Sequence, residues 1–201
     1  VTKECKLADR IIVPSEFVKT SLEAVDSSLL EKVIVIPFGC DSRNQVPKEK
    51  SSDFFSLNRL KVLFVGTICY EKGFDVLLQA CANLNEQGVQ VELTAAGNLG
   101  VGYRERFNAI SKYVNYLGRV PHSKLNDIYN SSHVLALPSF SEGSPLVTYE
   151  ALASGLPCIV SENANSIVTD GSDGYIVKVG SVTAVMEAIK QVYLDRSWLS
   201  L

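Results

Sequence analysis

Two carboxylates open the question of chemistry. Glu142 and Glu150 stand either side of Ser144-Pro145, a pair with the marks of a helix start: serine is a good N-cap and proline a favoured first helical residue. Gly155 suits the left-handed position after a helix end, and Pro157 prevents continuation. A helix over 145 to 154 is therefore expected. Its first turn would present the free amides of Leu146 and Val147, with the positive end of the helix dipole, to an anion such as a phosphate. A carboxylate is repelled by phosphate, so if both glutamates serve a ligand they accept hydrogen bonds from hydroxyls, as on a sugar or ribose. The plainer alternative is a solvated loop charge at Glu142 and a helix-surface residue at Glu150. A lysine beside a glycine, Lys72-Gly73, is ordinarily a solvated surface residue, but this one follows a strand and a glycine, Val65-Gly66.

Other chemistries find less support. The stretch Gly66 to Gly73 lacks the Lys-Ser or Lys-Thr ending of a nucleotide-hydrolase loop, and no strand runs into G-x-G-x-x-G. His122 and His133 have no metal-site spacing and are expected to be structural. Ser139 and Ser141 lack a nucleophile elbow. The segment Asp170 to Gly174 reads as a turn, not a calcium loop. Five widely spaced cysteines without a C-x-x-C pair fit free thiols in a reducing cytoplasm.

The elements that must position these residues follow from periodicity. Short apolar runs, each followed by a turn signal and a segment of helical period, recur along the chain. Strands are expected at 10 to 13, 33 to 37, 60 to 65, 89 to 96, 114 to 117, 133 to 137, 157 to 160 and 174 to 177. Helices are expected at 16 to 25, 74 to 87, 103 to 112, 123 to 131, 145 to 154 and 181 to 194. Uniformly apolar runs such as Leu60 to Val65 and Val134 to Leu137 point to a parallel sheet sandwiched between helices, an α/β Rossmann-like fold. In such sheets ligands bind beyond the carboxyl ends of the strands. The loops to watch are thus Gly66 to Gly73, Gly97 to Gly102, Gly118 to Ser123, Pro138 to Ser144 and Ser161 to Asn165.

Residues 1–39 read as a strand-helix-strand lead-in, 40–58 as a linker or surface loop, and 59–201 as the α/β domain proper. At 201 residues, 46% hydrophobic and 20% charged, with a net charge of −3, the composition is that of a globular protein and gives no reason to expect nucleic acid as a partner. No apolar run approaches the roughly 18 residues of a membrane span, and the start lacks the order of a signal peptide. The opening at Val1, just ahead of Arg10-Ile11-Ile12-Val13, reads as a fragment boundary, and the C-terminal end as a truncated one.

The separation of Glu142 and Glu150 by seven residues, followed by Ala-Leu-Ala-Ser-Gly-Leu-Pro, resembles the E-x7-E signature of retaining glycosyltransferases with the GT-B fold, group 1 or family 4 type. Further stretches resemble the family in order: Ile34 to Asp41, Lys61 to Gly66, Glu71 to Leu78, Tyr116 to Val120 and Asp170 to Val177. The resemblance covers nearly the whole chain. It implies the C-terminal, donor-binding half of a two-domain enzyme that transfers a hexose with retention from a nucleoside-diphosphate sugar, UDP- or GDP-linked, to an acceptor. It implies no metal or other cofactor. The acceptor, a glycan or a lipid-linked one, would be held by the missing N-terminal domain, as would any association with the inner face of a membrane. The setting implied is cytoplasmic, in glycan or surface-polysaccharide synthesis.

By that resemblance Glu142 is catalytic, near the reacting end of the donor sugar. Lys72 contacts the pyrophosphate together with Gly66 and Thr67, Glu150 the ribose hydroxyls, Ser144 and the backbone of Leu146 and Val147 the phosphate or sugar, and Arg119 and Val120 the base. The chain departs from the family in three places: Gly66-Thr67 where many members carry Gly-Arg, Gly97-Asn98-Leu99-Gly100 in place of G-x-G-P, and a shortened stretch between Ser161 and Asp170. A nucleotide-sugar epimerase or hydrolase on a related fold, and a non-catalytic binding module, are the alternative readings.

Overall fold

The computed structural model describes residues 2–41, 46–48 and 59–195. Along these the strands are β1 (Ile11–Val13), β2 (Val33–Val35), β3 (Leu60–Val65), β4 (Val91–Ala96), β5 (Asn115–Gly118), β6 (Val134–Leu137), β7 (Cys158–Ser161) and β8 (Gly174–Val177). The helices are α1 (Thr2–Leu7), α2 (Glu16–Val25), α3 (Phe74–Glu86), α4 (Arg104–Ile110), α5 (His122–Ser131), α6 (Leu146–Ala153) and α7 (Val182–Leu194). Each expected strand and helix is present, with ends displaced by a few residues. Helix α1 and the 3-10 turns Ser27–Lys32, Ser111–Tyr113 and Glu162–Ala164 were not expected; such pieces are too short to carry a periodicity. The helix expected to run to 112 ends instead at Ile110 and tightens into the turn at Ser111–Tyr113.

β1 and β2 form a separate parallel pair, Ile12 opposite Ile34. The main sheet has six parallel strands in the order β5-β4-β3-β6-β7-β8. The chain starts in the middle at β3, steps outward twice to β5, then crosses back to β6 and steps outward the other way. This is the doubly wound order with its reversal between β3 and β6. All four residues of β6 and of β7 are buried, and all of β3 but Lys61, as strands covered by helices on both faces require. The core joins these strands to Phe74, Leu77 and Leu84 of α3 and Val185, Ile189 and Val192 of α7.

Two glycines let the loops at the carboxyl ends of the strands approach each other, Gly73 at the reversal and Gly97 beside it. A Cβ on Gly73 (φ +69°) would stand 2.0 Å from the Pro138 carbonyl oxygen, and one on Gly97 (φ +145°) 1.8 Å from that of Gly66. Only residues without a side chain fit there. Of the segment 40–58, residues 42–45 and 49–58 lie outside the described residues. The described piece 46–48 docks on α5, where the Val46 and Lys48 amides donate to Asn126 and Asn130 and Lys48 pairs with Asp127 at 2.6 Å. No helix among the described residues is long and apolar enough to cross a membrane.

Candidate functional site

At the reversal point the loop after β3 meets the loop after β6. The Phe140 amide donates to the Glu71 carbonyl at 2.8 Å, and the Tyr70 and Phe140 rings stack with centroids 5.0 Å apart. This places Lys72 Nζ 2.5 Å from Glu142 Oε1, with the two side chains 30% and 12% exposed. The buried Ser139 hydroxyl donates to the same carboxylate oxygen at 3.0 Å. Glu142 is therefore no freely solvated loop charge.

The backbone at Glu142 is held from behind by the shortened segment after β7. The Glu142 amide donates to the Asn163 carbonyl at 3.0 Å, and Asn165 Nδ2 donates to the Glu142 carbonyl at 2.6 Å. Asn165 is the one non-glycine with positive φ (48°) among the described residues; asparagine tolerates the left-handed region better than most side chains. From the lead-in, the Ser15 hydroxyl caps α2 by accepting from the Val18 amide and donates to the Gly143 carbonyl at 2.6 Å. Ser15 and Asn165 were not singled out from sequence, where each is an ordinary polar loop residue, and Ser139 was weighed there only as a nucleophile, not as a partner of Glu142.

Helix α6 begins at Leu146, one residue later than expected. Ser144 is not its N-cap: Pro145 takes that position in an extended conformation, with no side-chain cap. Because Pro145 is extended (ψ 112°) and does not join the first turn, Ser144 stands one residue outside the cap position, and its hydroxyl sits 3.2 Å from the Tyr149 hydroxyl. The Thr148 amide and hydroxyl both donate to the Pro145 carbonyl. The amides of Leu146 and Val147 are left without intrahelical partners, as the geometry of a helix start dictates. The far end follows the sequence signals: Gly155 takes φ +69°, its amide reaches the Leu152 carbonyl, and the Leu156 amide reaches Ala151. That is a Schellman closure.

Glu150 is the fifth residue of α6 and its side chain is 12% exposed. It faces α5, where His122 Nε2 lies 3.0 Å from Oε1 and the Tyr129 hydroxyl donates to Oε2 at 2.7 Å. Burial, reinforced by the neighbouring Glu150, pushes the Tyr129 phenol well above its ordinary pKa, which keeps it a donor. Sequence reasoning took both histidines as structural. His133 is: buried, its Nδ1 accepts from the Lys61 amide at 2.8 Å. His122 instead contacts a predicted site residue, and its spacing of seven from Tyr129, two turns of one helix face, was the available signal.

The remaining predicted residues are distributed around this pair of centres. Gly66 begins the β3 loop, its amide bonded to the Ala96 carbonyl. Thr67 is exposed and lines a groove of about 460 Å³ with Cys69, Tyr70 and Gly100 to Tyr103. Arg119 follows the turn at Gly118 (φ +64°), exposed and without a hydrogen bond or ion pair to another described residue, while Val120 packs on the core. Another concavity, of about 790 Å³, shares no residue with these loops. It lies between α3 and the β4–β5 edge, and four of its charged residues are already paired, Arg106 with Asp75 at 2.8 Å and Arg59 with Glu92 at 3.5 Å.

A doubly wound sheet with a cation, a carboxylate and an open helix N-terminus at its reversal point defines a Rossmann-like domain, as the sequence resemblance to GT-B enzymes led one to expect. The chain belongs to the family described as glycosyl transferases group 1, whose model matches residues 59–195. It is 30% identical over 203 residues to the D-inositol 3-phosphate glycosyltransferase of Mycolicibacterium smegmatis, an alignment that takes in 94% of this chain and 46% of that protein. It spans about half or less of the length of the curated relatives it matches. Among solved structures it is similar to the sucrose-phosphate synthase of Thermosynechococcus elongatus (TM-score 0.79, 24% identity, 96% of this chain and 51% of that one). It is also similar to HepE of Anabaena, solved with UDP and glucose (TM-score 0.81, 18% identity, 96% and 56%). At these identities the two structures speak for the fold.

Proposed function

We propose that this chain is the donor-binding half of a retaining hexosyltransferase that uses a UDP- or GDP-sugar. The observation that carries the reading is the meeting of Lys72 and Glu142, 2.5 Å apart, in the two loops of the reversal point, beside the unpartnered amides of Leu146 and Val147. As the bond from the anomeric carbon to the diphosphate breaks, negative charge grows on the leaving oxygen and positive charge on the sugar ring. Lys72 and the helix amides stabilise the first, and Glu142 faces the second. That is preorganised electrostatic catalysis, strongest where charge develops. Glu150 accepts from the ribose, Arg119 and Val120 lie toward the base, and Gly66, Thr67 and Ser144 line the phosphate and sugar. The scheme calls for no metal.

The acceptor, a glycan or a lipid-linked one, is held by an N-terminal half outside this chain, and the enzyme works in the cytoplasm or at the inner face of a membrane in building a glycan. The chain by itself binds donor and transfers nothing, because closure of the two halves excludes water and completes the site. Calorimetric titration of this chain with UDP, GDP and their hexose conjugates tests the reading. We expect one nucleotide to bind, with its hexose conjugate, and no product without an acceptor half. Absence of binding by every diphosphate overturns it, release of an altered sugar points to an epimerase, and free hexose points to a hydrolase.

A further inference from the structure

The carboxylate of Glu150 has partners on both of its oxygens, and both come from α5. Tyr129 is fully buried and its hydroxyl holds Oε2 at 2.7 Å; His122, with a side chain 56% exposed, lies 3.0 Å from Oε1. A carboxylate only accepts, so His122 donates through Nε2–H. The carboxylate is thus gripped from beneath by a phenol that cannot reach solvent and from the rim by an imidazole that does. Each oxygen retains capacity for a further hydrogen bond. His122 is the first residue of α5, fixed behind Pro121 (φ −59°), and stands three residues beyond Arg119. Tyr129 alone would leave Oε1 to solvent and the carboxylate free to pivot about one bond.

We propose that His122 is a positioning and specificity-determining residue of a ribose subsite. By fixing Glu150 in one orientation it aims the remaining lone pairs at the vicinal 2′- and 3′-hydroxyls of a nucleoside diphosphate, so that the site selects ribonucleotides over 2′-deoxyribonucleotides. The inference rests on the proposed role of Glu150. A bond that merely fastens α5 to α6 would, when lost, affect both kinds of nucleotide alike, whereas an aimed acceptor matters only where the hydroxyl is present.

The test is calorimetry of this chain with UDP, GDP and their 2′-deoxy counterparts, for the parent, His122→Ala, His122→Gln and Glu150→Ala, each first shown folded by circular dichroism. The parent is expected to prefer the ribo form by about tenfold, the worth of one hydrogen bond to a charged group. His122→Ala should bring that ratio close to one by weakening the ribo form alone. His122→Gln, which keeps an N–H donor at similar reach, should restore most of it. A ratio unchanged in His122→Ala, or equal weakening of both forms, overturns the proposal. Glu150→Ala separates the two levels: if it abolishes the preference while His122→Ala does not, only the role of His122 fails. If Glu150→Ala also keeps the preference, or the parent has none, the ribose reading of Glu150 fails and this one with it.

Discussion

Lys72 Nζ lies 2.5 Å from Glu142 Oε1 although seventy residues separate them in the chain, and the bond joins the loops on either side of the point where the sheet reverses its strand order. A cation already paired with a carboxylate must share or exchange that partner when a diphosphate arrives. Lys72→Ala should therefore weaken nucleoside-diphosphate binding by roughly ten- to a hundredfold, a charge-assisted hydrogen bond being worth about 1.5 to 3 kcal/mol, and leave nucleosides unaffected. Glu142→Gln, which frees the lysine, should bind diphosphate at least as well as the parent. In the two-domain enzyme proposed above it should lower kcat by about a hundredfold or more, as loss of a group aimed at developing charge does. Equal weakening of diphosphates and nucleosides by Lys72→Ala would indicate misfolding and not a phosphate contact.

Thr67 stands where the sequence resemblance leads one to expect arginine, and it opens on a groove of about 460 Å³. There is room for a longer side chain. Thr67→Arg should tighten diphosphate binding by about tenfold, the guanidinium offering a planar pair of donors that threonine lacks. Titrations with UDP and GDP, set beside uridine and guanosine, check this; a gain that appears with nucleosides too would place the new side chain away from phosphate.

The approach of the two loops depends on Gly73, whose added Cβ would meet the Pro138 carbonyl oxygen at 2.0 Å. Gly73→Ala should lower stability by more than the approximately 1 to 3 kcal/mol that a positive φ alone costs, and should weaken diphosphate binding by displacing the loop that carries Lys72 away from the start of α6. Gly88→Ala is the control, since Gly88 has φ +83° and nothing within 4 Å of an added Cβ. Denaturation midpoints for the two variants should differ in that order. A smaller loss at Gly73 than at Gly88 would mean the loops are not packed as described.

All five cysteines are free, but Cys81 and Cys158 are buried whereas Cys5, Cys40 and Cys69 are partly exposed. Burial pushes the Cys81 thiol from 9.0 to about 12 and raises Cys158 as well, the latter helped by Asp173. A thiol-reactive dye under native, mildly alkaline conditions should label the three exposed residues and reach the other two only on unfolding. The same shift sets a pH dependence. Between pH 9 and 12 the unfolded chain has lost the Cys81 proton while the folded chain still holds it, so the stability this group contributes is complete below 9 and disappears as pH rises through that window. Urea midpoints that do not fall across that range in the parent relative to Cys81→Ala would count against it.

Much of the architecture is written locally. A run such as Val134 to Leu137, bounded by turn signals, reads as a strand covered on both faces, and the glycine and proline after Ala153 end α6 where they should, because caps and buried runs depend on residues a few positions apart. Local signals still leave the exact first residue of a helix open. Ser144 and Pro145 each favour a helix start, but Pro145 is extended (ψ 112°), so α6 opens one residue later and the cap position falls to Pro145.

The sequence by itself determined the alternation of strands and helices, the loops in which a ligand site must lie, and the two glutamates that bracket the start of α6. It left open whether those glutamates were site residues or solvated charges, because a side chain's partners are not recorded in its neighbours along the chain. Only the tertiary structure decided that Lys72 meets Glu142, that Ser139 and Asn165 hold the Glu142 loop, and that Glu150 is gripped by His122 and Tyr129. The reason is the crossover from β5 back to β6. It lays α5 against α6 and folds the β6 loop over the β3 loop, and such contacts exist only once the sheet has closed its order in space.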